Sequence, residues 1–492
     1  MSRETDEGGR RILGEALMGV RSVFLRRNAA IALWVIALLV VSAGANAQIS
    51  VKSRIPDSVW TYRYPGSACV ADDFPDVPAR PFIVGPWRNP TILWLASNSS
   101  GFYASRGAGA DPGRLAKLQR IRAGTGCVSW LPRTNYPASN PATYDTGFWM
   151  VAPWARSAST IYALVHNEFH GEWTGNSEWC AAQQQGIYLP CDYWNLVSAA
   201  SSDRGRSFRL RQAARSPGFN VPAIAVGEPY TVPPSQTNPP PTNLPQGMTA
   251  QSNIIRDGDY YYVLIEQLLY EPPQPPGTAS QTADGVCLFR ARVPVDPDAT
   301  ALTWKGWGGS GYTIPTPSEY PEGTGLPPCT PVLGTQFRFS WSRNQVLHQF
   351  VILGQDQLSS MGKNHITTAG CELAPKVSSS TADAAIVYVT AKLDRNGHLA
   401  IATGETCLLL INSIANWQQN KGVTGQSYPS LLDPMSPEIK PGDRNYQYSG
   451  ARPYLYFTQL NPRTAANPDG LDRDLVRIPL SVEARDTTAT DH

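Results

Sequence analysis

The sequence predicts an all-β fold, a β-propeller of five blades with long Pro-rich loops, and three observations carry that expectation. Gly and Pro number 41 and 43 in 492 residues while charged residues are only 16%, the balance of a turn-rich chain. Short apolar segments alternate with period two, and helical periodicity is confined to Arg114–Arg122. The alternating segments fall into about five units separated by Pro/Gly-rich connections, the pattern of repeated small antiparallel sheets.

The units follow in order. The first holds Ala79–Ile83 and Thr91–Ser97. The second holds Phe148–Ala152, Thr160–Phe169, Asn195–Ala200 and Phe208–Arg211. In the third are Asn253–Arg256, Tyr260–Gln267 and Gly285–Arg292, ending on Trp304 and Trp307. Phe337–Ser340, Gln345–Leu353, Ala384–Leu393 and Leu399–Gly404 make the fourth; Tyr454–Gln459 and Asp474–Ile478 make the fifth. Stretches 228–246, 271–276 and 312–331 carry too much proline for regular pairing and read as long surface loops.

The first residues read as a leader rather than as part of the fold. Arg26 and Arg27 precede the apolar run Ala29–Val41, and Ala45-Asn46-Ala47 supplies an A-x-A site, so residues 1–47 are expected to be a signal peptide and 48–492 one propeller domain. An uncleaved anchor is the competing reading, and Met18 would give a leader of more ordinary length. The expected address is secreted or periplasmic, with no stable membrane insertion after cleavage. The mature chain keeps 35 Lys+Arg and 35 Asp+Glu, a neutrality that argues against nucleic acid as partner. The 14 Trp and 21 Tyr suit carbohydrate, whose apolar faces stack on aromatic rings, although large aromatics more often serve as core. All eight cysteines lie beyond the leader, and an even count in an exported chain points to disulfides. Pairing in sequence order (69–127, 180–191, 287–329, 371–407) keeps each bridge within or beside one unit. No C-x-x-C or clustered Cys/His spacing suggests a metal ligand set. No cofactor is expected; calcium in the channel is the ion that Asp or Asn oxygens would suit, without an EF-hand or repeat signature.

Ser201-Ser202-Asp203-Arg204-Gly205-Arg206-Ser207-Phe208 fits S/T-x-D-x-G-x-S/T-W/F and resembles the Asp-box of sialidases and related propellers. In such a turn the Asp caps backbone N–H groups, the Gly supplies a positive φ and the aromatic packs between blades. With this turn, the strand grouping and the acids below, the chain resembles the five-bladed propeller glycosidases, the arabinanase, xylosidase and fructosidase group. It also looks like a set of secreted bacterial proteins without assigned activity. That likeness lies in Asp73-Phe74-Pro75-Asp76-Val77-Pro78-Ala79-Arg80, Ala163–Glu168, Cys287-Leu288-Phe289-Arg290 with Trp304, Tyr454–Phe457 and Asp472–Leu475.

The glycosidase resemblance implies carboxyl groups from three successive blades: a base or nucleophile, a residue tuning the acid, and a general acid. Asp76, just before the first strand, is the candidate for the first, with Arg80 pairing it or a substrate oxygen; Asp73 is its rival, and an Asx-turn is the structural alternative. On Thr160–Phe169, Tyr162, Leu164, His166 and Glu168 share one face. A buried His and Glu two apart need partners, and a channel-facing site would supply them. Glu168 stands where the family has Asp, which leaves it as tuner or as the acid itself; His166 is a candidate to bind a sugar hydroxyl. Glu266, on the face of Tyr262 and Leu264, falls where the family has its acid. Arg290, with Arg80, is a candidate for substrate binding. The expected function is thus a glycoside hydrolase using Asp76, Glu168 and Glu266. The alternatives are a non-catalytic glycan-binding or envelope-associated propeller, and beyond that a sialidase or polysaccharide lyase. No G-x-S-x-G, P-loop or H-E-x-x-H is present.

Overall fold

The alternating stretches of the sequence pair as antiparallel meanders that follow one another in chain order. The computed structural model describes residues 46–62, 75–97, 101–104, 118–120, 122–123, 126–127, 131, 143–170, 192–212, 220, 222–225, 246–249, 251–268, 285–296, 299, 302–316, 327–334, 337–358, 371–420, 422–468 and 470–485. The sheets lie within one compact unit, Ala47–Glu483.

A four-stranded sheet joins Pro75–Val84, Thr91–Ser97, Gly101–Ala104 and Leu118–Arg120. The Arg114–Arg122 stretch, helical by periodicity, therefore contributes strand: pairing of Leu118–Arg120 with Phe102–Ala104 overrides the local pattern. The second and third expected units share one eleven-stranded sheet. Phe148–Ala155, Ile161–His170 and Asp192–Ser201 form its first half; Tyr260–Leu268, Gly285–Arg292 and Trp304–Gly306 lie in its second. Gln246–Thr249 joins the halves, parallel to Asp192–Ser201 and antiparallel to Tyr260–Leu268. At that junction Gly247 has φ +115, and a Cβ there would overlap the carbonyl of Trp194, so only glycine lets the two backbones meet. A seven-stranded sheet is built on Phe337–Asn344, Gln349–Gln357, Ala384–Leu393 and Thr406–Ile411. In the remaining five-stranded sheet, Gly425–Leu432, Tyr454–Leu460 and Arg473–Arg485 are completed by Asn46–Val51 and Asp57–Tyr62. The expected cleavage point lies inside Asn46–Val51, of which Ile49 is a buried member.

The leading strands close a circuit. Pro75–Val84 lies against Phe148–Ala155 on one side and Gly425–Leu432 on the other. Phe337–Asn344 lies between Gly425–Leu432 and Tyr260–Leu268, and Trp154 meets Tyr261 edge-on at 5.4 Å to link the remaining pair. Meanders set around a closed circuit, with the last sheet completed by the N-terminal strands, make this a β-propeller. Its core lies between the sheets: Phe82, Leu93, Tyr162, Val165, Phe169 and Trp304 belong to one apolar cluster, and Leu264, Leu288, Trp341 and Ile352 to the next.

The turn Ser201–Phe208 shows why its residue types matter. Asp203 Oδ1 accepts from the N–H groups of Arg206 (2.9 Å) and Ser207 (3.0 Å), and Oδ2 from the Ser207 hydroxyl (2.7 Å). Gly205 takes φ +76, and Phe208 is buried in the core. Cys287–Cys329 and Cys371–Cys407 are disulfides, as sequence order suggests; the other four cysteines lie outside the described side chains. Among the described residues no helix is long and apolar enough to cross a membrane.

Candidate functional site

Three alternate residues of Ile161–His170 place two imidazoles around one carboxylate. His166 Nδ1 lies 3.3 Å from Glu168 Oε1, and His170 Nε2 lies 3.1 Å from Glu168 Oε2. The next strand adds a second carboxylate, because the register sets His170 opposite Asp192, whose Oδ2 is 3.1 Å from His170 Nδ1. The indole of Trp149, on the other neighbouring strand, also donates to Glu168. The result is a continuous chain, His166–Glu168–His170–Asp192, with side-chain exposures of 8%, 16%, 6% and 0%.

Electrostatics follow from that geometry. Burial alone would raise the Glu168 carboxyl, but the hydrogen bond from His170, the charge of both histidines and the Trp149 indole outweigh it and hold Glu168 below its usual range. Burial pushes the His166 imidazole down, against the attraction of Glu168. His170 thus has a carboxylate oxygen 3.1 Å from each of its ring nitrogens, Glu168 at Nε2 and Asp192 at Nδ1. Buried charges are thereby paired within the chain of four, as their enclosure requires.

Asp76 sits in a different setting. The strand Pro75–Val84 loses its regular register between Pro75 and Arg80, where Pro78 has no N–H to give. Asp76 is ion-paired with Arg473 and accepts from the Tyr428 hydroxyl at 2.9 Å. Tyr428 reaches it from a second irregularity: the register of Gly425–Leu432 shifts between Ser427 and Ser430, and Tyr428 takes φ +60. Arg80, only 3% exposed, donates to the Ser430 hydroxyl (3.0 Å) and to the Ala79 carbonyl; burial lowers it to about 9.

Glu266 is fully enclosed, opposite Thr249 and Val286. Its facemates Tyr262 and Leu264 pack in the cluster of Trp341 and Ile352, on the following sheet. Glu168's facemate Tyr162 instead accepts from Trp304 of its own sheet's second half (2.9 Å). The two glutamates thus face different neighbours. Arg290 lies between the rings of Tyr260 and Tyr312, 4.4 and 3.9 Å from their centroids, and donates to the Asn396 carbonyl.

All three acids nevertheless fall toward one edge of the propeller. Glu168, Trp194, Gly247 and Leu268 make one row across the large sheet, and Glu266 is one pleat from it. Pro75–Val84 and Phe148–Ala155 end together, where Gly85 N–H donates to the Ala158 carbonyl, so Asp76 begins its strand at the edge to which Glu168 belongs. Of the six residues singled out in the sequence, the structure brings His166 and Glu168 into contact. Asp76, Arg80, Glu266 and Arg290 each have other partners. His170 and Asp192 were missed. The alternation that marked His166 and Glu168 runs on to His170, a signal available in the sequence; Asp192 is reached only through strand register. Among the described residues no group of three or more His, Cys, Asp or Glu is arranged to hold a metal ion.

No protein-family model and no curated protein sequence matches the chain. Among the solved structures to which it is similar are several glycoside hydrolases. The catalytic domain of a GH62 α-L-arabinofuranosidase from Coprinopsis cinerea is 8% identical, with 86% of this chain and 95% of that one covered at a TM-score of 0.35. A GH43_1 enzyme from Xanthomonas citri is 9% identical over 86% and 90%, also at 0.35. The GH32 β-fructofuranosidase of Bombyx mori is 12% identical over 83% and 62%, at 0.33.

Proposed function

We propose that this is an exported carbohydrate-active protein that hydrolyses glycosidic bonds. Asp76, Glu168 and Glu266 are its candidate carboxyl groups, and Arg80, His166 and Arg290 its candidate substrate contacts. The observation that carries the reading is the common edge toward which the three acids fall, because hydrolysis needs two carboxyl groups across one bond. Glu168, held ionised at that edge by two histidines, has the character of a base or of a charge that tunes its neighbours. The two disulfides support export, since such bonds persist in oxidising compartments.

The test is a screen of the mature chain against arabinan, xylan, levan and aryl glycosides, with Glu168→Gln, Glu266→Gln and Asp76→Asn beside it. Reducing sugar that a folded carboxamide variant no longer releases supports the reading. Activity that survives all three substitutions refutes it.

A second reading, a non-catalytic glycan-binding propeller, is favoured by the ion pair of Asp76 with Arg473 and by the complete enclosure of Glu266, both arrangements that a structural carboxylate would have. Retained binding to one glycan without turnover distinguishes it.

A further inference from the structure

Where Pro75–Val84 and Phe148–Ala155 finish, at the end away from Asp76 and Glu168, four turns are tied together by their backbones. The Gly85 N–H donates to the Ala158 carbonyl (2.7 Å), which joins the turn 85–90 to 156–160. The Arg204 N–H donates to the Ser159 carbonyl (3.1 Å), which joins 156–160 to the turn 201–208. The segment around Arg444 completes the group, its carbonyl accepting from the Ile83 N–H (2.7 Å). The 10-residue strand Pro75–Val84 sets this end up to about 30 Å from Asp76.

These turns are rich in arginine that no carboxylate answers. Arg88, Arg204 and Arg206 are exposed, as are Arg209 and Arg211 just beyond the last turn. Among the described residues none of them, nor Arg444, is ion-paired. The acids beside them are spent locally. Asp203 accepts from the N–H groups of Arg206 and Ser207 and from the Ser207 hydroxyl of its own turn. Asp443 is buried and accepts from the Ser436 hydroxyl and from the N–H groups of Asn445 and Gln447. Arg156 is held by the carbonyls of Asp296 and Ala299 and takes no part. Crowded like charges with no partner favour an anionic ligand.

Trp87, on the first of these turns, is 45% exposed. The Arg444 guanidinium lies over its ring, 4.4 Å from the centroid, and is itself fixed by donating to the carbonyls of Ile83 (3.3 Å) and Gly85 (3.0 Å). The indole is therefore held in place before any ligand arrives and loses little freedom on contact. A ring that can stack on a sugar, beside guanidiniums that fork onto carboxylates, matches a glycan bearing acid groups.

We infer that this end of the propeller docks an acidic polysaccharide, a polyuronate. Trp87 stacks on the apolar face of one sugar, and Arg88, Arg204 and Arg206 pair with carboxylates along the chain. That the ligand is an anion rests on the arginines; that it is a glycan rests on the carbohydrate reading above. Docking here would tether the protein by the end opposite the three acids.

The test titrates the full chain into fluorescein-labelled polygalacturonate and reads anisotropy at about 50 mM and about 300 mM salt. The methyl-esterified polymer, which keeps the sugar backbone and loses the charge, is the control, and phosphatidylglycerol vesicles are a third probe. Binding to the acid polymer that weakens at the higher salt, and is absent with the ester, is expected. Arg204→Ala/Arg206→Ala and Trp87→Ala, each checked for folding by circular dichroism, are expected to weaken it by about 10-fold. Equal binding of acid and ester, binding unaltered in both variants, or no binding at all overturns the inference. Tighter binding to the vesicles than to the polymer overturns it in favour of a lipid surface. Glu168→Gln is expected to bind as wild type does, which separates docking from hydrolysis. Hydrolysis of a neutral glycan without polyuronate binding overturns this inference alone; polyuronate binding without turnover of any glycan supports it while the hydrolase reading fails.

Discussion

Gly205 offers a sharp test of how the Ser201–Phe208 turn is seated. Its φ of +76 lies in the left-handed region, and a Cβ there would stand 2.5 Å from Leu93 Cδ1 and 3.2 Å from Ile161 Cδ1. Gly205→Ala therefore carries two costs. The left-handed backbone costs an alanine about 1 kcal/mol, and forcing a methyl against the packed Leu93 costs about 1–3 kcal/mol more. The sum is a loss of about 2–4 kcal/mol, read from urea unfolding at constant slope. The two parts separate in a cycle. With Leu93→Ala the obstructing methyl is gone, so adding Gly205→Ala should cost only the backbone part, a coupling of about 1–3 kcal/mol. Gly205→Asn, which accepts the left-handed backbone but brings a Cβ, should remain destabilising beside Leu93. The reasoning is refuted if Gly205→Ala loses less than about 0.5 kcal/mol, the range of a neutral surface change, or if its cost is the same in both backgrounds.

Asp203 is held below its ordinary range: burial is the largest single influence and opposes this, but the bonds from the Ser207 hydroxyl and N–H, the Ser201 hydroxyl and the Arg206 N–H together outweigh it. A depressed carboxyl stabilises above its unfolded value and loses that contribution as pH falls through the folded one, so Asp203→Ala should flatten the acid side of the stability profile. Glu405 has the opposite sign, raised to about 7 by burial and by the charge of Asp356. The folded chain keeps that proton while the unfolded one releases it, so stability should fall between about pH 4.5 and 7, and Glu405→Gln should remove the fall in a Tm-against-pH series. The disulfide Cys287–Cys329 closes a separation of 42 residues and Cys371–Cys407 one of 36. Loss of either by paired Ser substitution should cost up to about 4 kcal/mol, visible as an earlier urea midpoint, and a change below about 1 kcal/mol would show that neither loop is free in the unfolded chain.

Period-two alternation made much of the fold legible. Gly285–Arg292 and Ala384–Leu393 were read at their observed bounds, and Ile161–His170 within one residue of each end. The leading strand Gly425–Leu432 was not read. Gln426, Ser427 and Ser430 are polar yet buried there, and Pro429 interrupts the ladder, so neither apolar alternation nor composition announces a strand. Asn46–Val51 was hidden by its place beside a cleavage motif, and the helix Ile414–Gln419 by its brevity. At the candidate site, the shared face of His166 and Glu168 follows from alternation alone. The link to Asp192 depends on the pairing of strands separated by 21 residues, which no local pattern encodes. Likewise Arg473 and Tyr428 reach Asp76 across nearly the whole chain.

The pairing of Asn46–Val51 with Arg473–Arg485 sets the order of events for a chain made N-terminus first. Asn46–Val51 emerges early and cannot take its place until Arg473–Arg485 arrives, so one edge waits unprotected through most of synthesis. Contacts of such high sequence separation make for slow completion, and the waiting edge is a template for pairing with a second unfinished chain. A factor that binds extended strands during synthesis would shorten that exposure. Removing residues 46–51 would leave the closing edge permanently open, turning a folding hazard into an assembly surface.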